Sequence, residues 1–247
     1  MKLLLDLGNT RLKWALSEEG ALGAGGSVPH DGDPAGALKR LAGELVTPMS
    51  VWLASVADAD TESRLAEAAA ELWPGAACHF PRTTREAHGV ICAYPEPERM
   101  GVDRWLALLG ARLHMRASFC VMDAGSAVTL DAVDAQGRHL GGLILPGLGM
   151  ARRWMSEHTG RVRVNGRSRK TWWADNTRDA VDGGSFWAAV TLAEAFHRRT
   201  SERLGETPAL LLTGGDAPAI MDAMSIKGHH EPDLVLRGLA LVADEQP

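Results

Sequence analysis

Short apolar runs recur along the chain, and small or polar residues end each of them. This pattern is typical of buried β-strands. The predicted strands span 2–7, 11–17, 50–56, 118–122, 127–133, 140–145 and 209–213. Apolar residues at helical spacing predict helices over 61–72, 104–115, 186–200 and 234–243, with Thr61 as a candidate N-cap of the first. Strands and helices in this mixture indicate an α/β protein.

One strand-and-turn pattern occurs twice. The segment 3–10, LLLDLGNT, resembles the segment 120–127, CVMDAGSA, and each gives an apolar strand, an aspartate, a small turn and a second strand. Asp6 and Asp123 are 117 residues apart, close to half of the 247-residue chain. We therefore predict a duplicated α/β domain, with domains over 1–115 and 116–247; a chance match of the short Asp-x-Gly pattern is the alternative.

The first copy of the pattern is a candidate phosphate loop. Gly8 permits a tight turn, and backbone N–H groups with the side chains of Asn9 and Thr10 can donate to phosphate oxygens. Lys13 adds a positive charge on the return strand, and Asp6 suits water bound to Mg²⁺. An ordinary hairpin turn, in which Asp and Asn bond their own backbone, is the alternative.

A second candidate motif opens the helix predicted after residue 103. In Gly101-Val102-Asp103-Arg104, the aspartate lies near a helix N-terminus, where the helix dipole favours a carboxylate. Capping is therefore one interpretation. In the other, Asp103 takes a proton from a substrate hydroxyl while Arg104 holds an anionic group.

Three further segments carry candidate residues, and the first two keep two interpretations each. The glycine pair in TGGDA, 213–217, fits a tight strand-to-helix connection or a surface for a flat ring or phosphate. Thr177 fits a helix cap or a substrate contact. The segment 161–170 is typical of a solvated loop, although it carries five basic residues: Arg161, Arg163, Arg167, Arg169 and Lys170.

Composition narrows the classes of partner. Hydrophobic residues make up 45% of the chain, and the formal net charge is −5. No long basic run occurs, which argues against a nucleic acid or an anionic membrane. The three cysteines have no paired metal-binding spacing and indicate buried thiols in a reducing compartment. No stretch approaches the roughly 20 apolar residues that cross a bilayer. We expect a cytoplasmic protein with no membrane and no nucleic acid as partner.

Six segments together, in order along nearly the whole chain, resemble the type III pantothenate kinases, which include the Bvg accessory factors. The segments are DLGNTRLKW at 6–14, GVDRW at 101–105, DAGSAVTLD at 123–131, GGLILPGLGM at 141–150, NTRDAVDGG at 176–184 and TGGDA at 213–217. The resemblance implies two ribonuclease-H-like domains of the actin/hexokinase/Hsp70 superfamily, with the nucleotide bound between them. It also implies ATP-dependent phosphorylation of pantothenate to 4'-phosphopantothenate, the first step of coenzyme A synthesis.

The resemblance also implies roles for the matching positions. Asp103 is then the general base, and Asp123 binds a monovalent cation, K⁺ or NH₄⁺. ATP binding falls to Asp6, Leu7, Gly8, Asn9, Thr10, Arg11, Leu12, Lys13 and Ser126, with Asp6 also on Mg²⁺. Pantothenate binding falls to Tyr94, Gly101, Val102, Asp103, Arg104 and Thr177. Position 126 departs from the family, which usually has Thr; Ser keeps the hydroxyl. Family members are usually homodimers.

Two other functions remain open at this stage. One is a non-catalytic, ATP-binding regulator on the same fold, as the accessory-factor name suggests. The other is a different small-molecule kinase of the superfamily, such as an acetate or sugar kinase. Intact Asp6, Lys13, Asp103 and Arg104 argue against the first, and Tyr94 with the GVDR segment argues against the second.

Overall fold

The computed structural model describes residues 1–159 and 169–245, which divide into two compact units. The first unit comprises Met1–Arg116 together with Asp233–Pro247, and the second comprises Ala117–Pro232. The prediction of one continuous second domain over 116–247 differs from this division at its C-terminal end, because the last helix packs within the first unit.

Strands of the first unit precede and alternate with its helices. The strands are β1 (Lys2–Leu7), β2 (Arg11–Glu18), β3 (Ala21–Pro29), β4 (Ser50–Ser55) and β5 (Ala77–His79), followed by a short hairpin of β6 (Glu86–Ala87) and β7 (Val90–Ile91). The helices are α1 (Pro34–Ala42), α2 (Ala59–Leu72), α3 (Val102–Arg112) and α7 (Leu234–Asp244).

The described residues of the second unit follow the same plan. The strands are β8 (Phe119–Ala124), β9 (Ala127–Val133), β10 (His139–Pro146), β11 (Ala209–Thr213) and β12 (His229–His230). The helices are α4 (Leu148–His158), α5 (Thr177–Leu204) and α6 (Ala217–Ala223).

The strand orders of the two sheets confirm the internal repeat. In the described residues, the first sheet has the order β3-β2-β1-β4-β5 and the second has the order β10-β9-β8-β11-β12. Three strands of each sheet are antiparallel, and the fourth and fifth join parallel to the first. Asp6 and Asp123 are each the next-to-last residue of the equivalent strands β1 and β8. The two copies of the pattern are therefore structurally equivalent.

Side-chain alternation along β1 gives its two faces different roles. Leu3, Leu5 and Leu7 pack in one cluster with Leu38 of α1 and Leu65 of α2. Because neighbouring side chains of a strand point to opposite faces, Leu4 and Asp6 lie on the other face. Helices α3 and α7 contact the sheet through β4 and β1. Asp6 is thus on the face that α3 covers.

Helices α3 and α7 cross closely because each has a glycine at the contact. A Cβ on Gly110 would overlap the carbonyl oxygen of Leu234, and one on Gly238 would overlap that of Leu106. This crossing fixes α7 to the first unit, and it explains why the C-terminal helix does not belong to the second.

Several predicted boundaries need correction. Helix α2 begins at Ala59, and its N-cap is Asp58, whose Oδ1 accepts from the Thr61 N–H at 2.8 Å; the assignment of Thr61 as the cap is wrong. Helix α5 begins at Thr177 instead of residue 186 and runs for 28 residues. The pattern also missed β3 and α1, since β3 reads ALGAGGSVP and is mostly exposed.

Candidate active site

The turn between β1 and β2 carries the candidate phosphate loop. The two strands pair antiparallel with Asp6 opposite Lys13, and the Gly8 N–H donates to the Arg11 carbonyl at 3.1 Å to close the turn. Asn9 and Thr10 are exposed at its tip. The predicted return strand is confirmed, because β2 pairs antiparallel with β1. The turn between them, residues 8–10, is called the β1–β2 turn below.

Asp6 and Lys13 form an ion pair beside this turn. Lys13 Nζ lies 3.7 Å from Asp6 Oδ2, and Asp6 is only 7% exposed. Directly opposite residues of an antiparallel pair share a face of the sheet, so both charges lie on the face that α3 covers. A carboxylate and an ammonium group are therefore held together at the carboxyl end of β1.

Three residues of the predicted ATP-binding run have side chains engaged elsewhere. Leu7 and Leu12 are buried in the apolar cluster of the first unit. Arg11 Nε donates to Ser27 Oγ, and its Nη2 donates to the Ser27 carbonyl, both at 2.7 Å. Leu7, Arg11 and Leu12 can therefore contact a nucleotide through their backbone groups. The sequence alone did not distinguish them from Asn9, whose side chain is exposed.

The GVDR segment places Asp103 in the first turn of α3. The N-cap of α3 is Gly101, which has no side chain to accept a capping hydrogen bond. Asp103 is the second residue of the helix and is therefore not the cap. Its Oδ1 accepts from the Arg104 N–H at 2.8 Å. A Cβ on Gly101 would stand 2.6 Å from this oxygen and 3.6 Å from Val56 Cγ1. Glycine at 101 therefore leaves the room that the Asp103 carboxyl occupies.

Val56 connects this segment to the β1–β2 turn. Strands β1 and β4 are parallel, with Leu7 opposite Ser55, so the turn and Val56 follow neighbouring strand ends. A pocket of about 200 Å³ at this edge is lined by Leu7, Gly8, Asn9, His30, Gly32, Pro34, Val56, Ala57 and Thr61. The phosphate-loop candidate and the base candidate thus lie at the same edge of the first sheet, which the sequence could not establish.

The Arg104 side chain contacts Tyr94, which lies in a separate segment of the first unit. Arg104 is 6% exposed, and its Nη1 donates to Tyr94 Oη at 3.0 Å. Its guanidinium carbon lies 5.8 Å from the centre of the Tyr94 ring. A guanidinium has five N–H donors in one plane, which matches a carboxylate. The structure therefore places Tyr94 against Arg104, which adjoins Gly101 and Asp103 in the chain. The resemblance assigns these residues to one pantothenate site, and that role stays a prediction.

Arg85 is a residue that sequence analysis missed. Its guanidinium donates to the carbonyl oxygens of Cys92, Tyr94 and Pro95, at 3.2, 2.8 and 2.5 Å. The Arg85 carbonyl also accepts from the Cys92 N–H at 2.9 Å. Arg85 thus holds the segment that carries Tyr94. Because its acceptors are backbone carbonyls, which every residue has, no sequence motif marks the interaction.

In the second unit, Asp123 lies where three turns meet. The Asp216 N–H donates to the Ala124 carbonyl at 3.0 Å, and the Gly147 N–H donates to the Ser126 carbonyl at 3.1 Å. A Cβ on Gly214 would stand 2.5 Å from Asp123 Oδ1. The TGGDA glycine therefore permits close approach to the Asp123 carboxylate, in addition to making a strand-to-helix connection.

Thr177 begins α5 but does not cap it. The N-cap is Asn176, which accepts from the Asp179 N–H at 3.0 Å, so the capping interpretation of Thr177 is wrong.

The backbone N–H of Arg169, with Asn176 and the Arg169 guanidinium, lowers the pKa of Asp179 to about 2. Of the basic segment, Arg161, Arg163 and Arg167 lie outside the described residues, whereas Arg169 pairs with Asp179 and Asp175.

Across residues 1–159 and 169–245, no group of three or more His, Cys, Asp or Glu side chains could hold a metal ion. None of the helices in the same ranges is both long enough and apolar enough to span a bilayer.

Comparison with known proteins gives the family. The model of the type III pantothenate kinase family matches residues 2–199. A type III pantothenate kinase of Alcanivorax borkumensis is 34% identical over all of both chains, and one of Laribacter hongkongensis is 37% identical over 98% of each.

Solved structures give the fold. A Campylobacter jejuni protein of the Baf family has a TM-score of 0.62 at 20% identity and covers 99% of this chain and 98% of its own. An inorganic polyphosphate/ATP-glucomannokinase of an Arthrobacter strain has a TM-score of 0.51 at 12% identity, over all of both chains. These likenesses confirm the predicted fold, with duplicated ribonuclease-H-like α/β domains. By its sequence, the chain belongs to the type III pantothenate kinase family.

Proposed function

We propose that this kinase transfers the terminal phosphoryl group of ATP to the hydroxyl of pantothenate, with Asp103 as the general base. Family membership carries the reaction, which yields 4'-phosphopantothenate for coenzyme A synthesis. One observation carries the assignment of the base: the Asp103 carboxylate lies in the first turn of α3, where it accepts from the N–H of Arg104, the residue that hydrogen-bonds Tyr94.

The surroundings of Asp103 suit a base that must stay ionised. The Arg104 N–H donates to its carboxylate, and the positive end of the α3 dipole favours negative charge at this position. Phosphoryl transfer depends on positioning and charge neutralisation, and the hydroxyl proton leaves late. A carboxylate that accepts this proton as the new bond forms is then sufficient.

Arg104 is the residue we propose for the pantothenate carboxylate. A guanidinium can hold a carboxylate through two parallel hydrogen bonds, and Tyr94 fixes its orientation at 3.0 Å. Gly101 and Val102 complete this side of the pocket, and Thr177 is proposed as a further pantothenate contact because it matches the family motif.

The β1–β2 turn and its flanks, residues 6–13, are proposed to bind the ATP phosphates, and Ser126 is proposed as a further ATP contact. Lys13 then neutralises charge that develops during transfer. Asp6 fits Mg²⁺ through water, since a carboxylate oxygen is the ligand that this hard ion prefers. Mg²⁺ bound with ATP would neutralise the triphosphate.

Asp123 is proposed to bind a monovalent cation, K⁺ or NH₄⁺. A half-buried carboxylate among turns with backbone carbonyls offers the oxygen ligands that such an ion needs. Activity should therefore rise with K⁺ in wild type, and Asp123→Asn should lose that response. Full activity in a buffer with Na⁺ alone would contradict this assignment.

A homodimer in the cytoplasm is the proposed working form. The second unit exposes large apolar side chains, among them Ile144 at 62%, Trp154 at 56% and Trp173 at 91%. The cysteines Cys78, Cys92 and Cys120 are all free thiols, as expected in a reducing compartment. Sedimentation should give twice the 26.4 kDa chain mass, and a fully active monomer at assay concentration would contradict the dimer.

A coupled assay of ADP release tests the function. The protein is assayed with Mg²⁺-ATP and K⁺ against pantothenate, acetate and a panel of sugars. We expect turnover with pantothenate and none above background with the others. Preferred turnover of a sugar would support a different kinase of the superfamily, and ATP binding without turnover of any acceptor would support a non-catalytic regulator.

A further inference from the structure

His30 lies directly behind the β1–β2 turn and is held by four hydrogen bonds. It follows β3 and is only 6% exposed. Its Nε2 lies 2.9 Å from the Gly8 carbonyl oxygen, and its Nδ1 accepts from the Gly32 N–H at 3.2 Å. Its backbone N–H donates to the Thr10 carbonyl at 3.3 Å, and its carbonyl accepts from the Asp33 N–H at 2.7 Å. His30 thus links the turn to the start of α1.

These partners determine the tautomer of the ring. A carbonyl oxygen only accepts hydrogen bonds, so Nε2 must carry the hydrogen that points at Gly8. A backbone N–H only donates, so Nδ1 must be the unprotonated acceptor for Gly32. The ring is therefore the neutral Nε2–H tautomer, and Phe or Leu could not reproduce either bond.

The bond to Gly8 also fixes the direction of a neighbouring donor. The Gly8 carbonyl and the Asn9 N–H belong to one planar trans peptide, in which they point in opposite directions. Because His30 holds the carbonyl on the side of α1, the Asn9 N–H is directed away from the ring. This N–H belongs to the turn that we propose for the ATP phosphates.

We propose that His30 is a positioning residue for ATP: it holds the Gly8–Asn9 peptide so that the Asn9 N–H is set to donate to a phosphate oxygen. This role rests on the proposed function of the β1–β2 turn. His30 itself contacts no reacting atom. Without it, the peptide can rotate, and ATP must restrict that rotation on binding, which weakens affinity.

The first test compares His30→Phe, which fills the space without a donor, with His30→Gln, whose amide can donate to Gly8. The control is His197→Phe, because His197 Nε2 also lies 2.9 Å from a backbone carbonyl, that of Pro208 in the second unit. The readouts are the Kd of Mg²⁺-ATP without pantothenate, the KM of each substrate and the melting temperature.

For His30→Phe we expect the Kd and KM of ATP to rise about 5- to 100-fold, the range for an unsatisfied buried carbonyl. The KM of pantothenate should stay within about twofold, and His30→Gln should recover much of the ATP affinity. His197→Phe should lower the melting temperature and leave the Kd of ATP unchanged. A His30→Phe protein that melts earlier but binds ATP as wild type does would overturn the proposal, as would equal losses in the Phe and Gln variants.

A measurement on wild type decides the matter where a variant does not fold. Ring ¹⁵N NMR should show the Nε2–H tautomer for His30, and saturating Mg²⁺-ATP should shift these signals but not those of His197. Unchanged His30 signals would overturn the proposal. ATP binding without pantothenate turnover would contradict the proposed function alone, whereas absence of ATP binding would contradict both.

Discussion

Arg104 Nη1 donates a hydrogen bond to Tyr94 Oη at 3.0 Å, and this bond ties the helix that carries Asp103 to a separate segment of the first unit. The Arg104 N–H at the same time donates to the Asp103 carboxylate. One residue therefore contacts both the proposed base and the proposed substrate-binding tyrosine. Substitutions around it separate the roles of these groups.

Replacing Arg104 with alanine should raise the KM of pantothenate. A hydrogen bond to a charged group contributes about 1.5–3 kcal/mol, which corresponds to about a 10- to 150-fold change in affinity. Initial-rate kinetics measure this change, with Arg112→Ala as control, because Arg112 lies in the same helix and donates to the carbonyls of Met115 and Arg116.

An analogue of pantothenate without the carboxylate gives the decisive comparison for Arg104. Wild type and Arg104→Ala should bind this neutral analogue about equally. If the substitution weakens the analogue as much as pantothenate, Arg104 has a structural role and the proposed orientation of the substrate is wrong.

Lys13→Ala should lower kcat more than it changes the KM of pantothenate. The ammonium group is proposed to stabilise charge that develops on the phosphates, and loss of one such partner costs roughly 10²–10³ in rate. Lys2→Ala is the matched control, because Lys2 pairs with Asp244 at 3.6 Å, close to the 3.7 Å of the Lys13–Asp6 pair. Equal kcat values for the two variants would remove Lys13 from the proposed site.

Arg85 should affect pantothenate through the Tyr94 segment. Arg85→Gln removes charged donors from three carbonyls, so we expect the KM of pantothenate to rise about tenfold, as for one lost charged hydrogen bond. Arg85→Lys should lie between wild type and Gln. Arg82→Gln controls for the charge, because Arg82 pairs with Glu62 and not with this segment. A kcat loss with unchanged KM would contradict the positioning role.

The thiols of Cys78 and Cys120 should be inert in the folded protein. Burial raises the pKa of Cys78 to about 11 and that of Cys120 to about 12. At pH 8 about one Cys78 thiol in a thousand is then ionised, and iodoacetamide should modify both residues only after unfolding. Between about pH 9 and 12 these thiols stay protonated in the folded protein, whereas they ionise in the unfolded chain, where their pKa is the ordinary 9.0. The free energy of unfolding should therefore fall as the pH rises through this range. Rapid labelling of the native protein would contradict these environments.

The parts of the fold that local patterns specify could be predicted. The apolar run before Asp6 gives β1, and the return strand puts Lys13 opposite that aspartate. The repeat of this pattern at Asp123 gives the second sheet. In both copies, the residues that form the strand, the turn and the return strand are adjacent in the sequence, so the local pattern is sufficient to predict them.

The parts that depend on distant contacts could not be predicted. Helix α5 begins at Thr177, before the predicted start at residue 186, and it includes Gly183. A Cβ on Gly183 would overlap the Thr171 carbonyl, so this glycine permits close packing inside the helix, a contact that the local pattern does not reveal. Arg85 and His30 bind backbone carbonyls and leave no motif.

The rate of 4'-phosphopantothenate formation by Asp103→Asn, measured by mass spectrometry, tests the central claim most directly. Asp60→Asn is the control, since Asp60 is the second residue of α2 as Asp103 is of α3, so both lose the same helix-dipole interaction. We predict that Asp103→Asn folds, binds both substrates and loses about 10²–10⁴-fold in rate, while Asp60→Asn keeps the wild-type rate. A folded Asp103→Asn protein with near-wild-type kcat would contradict the assignment of Asp103 as the base.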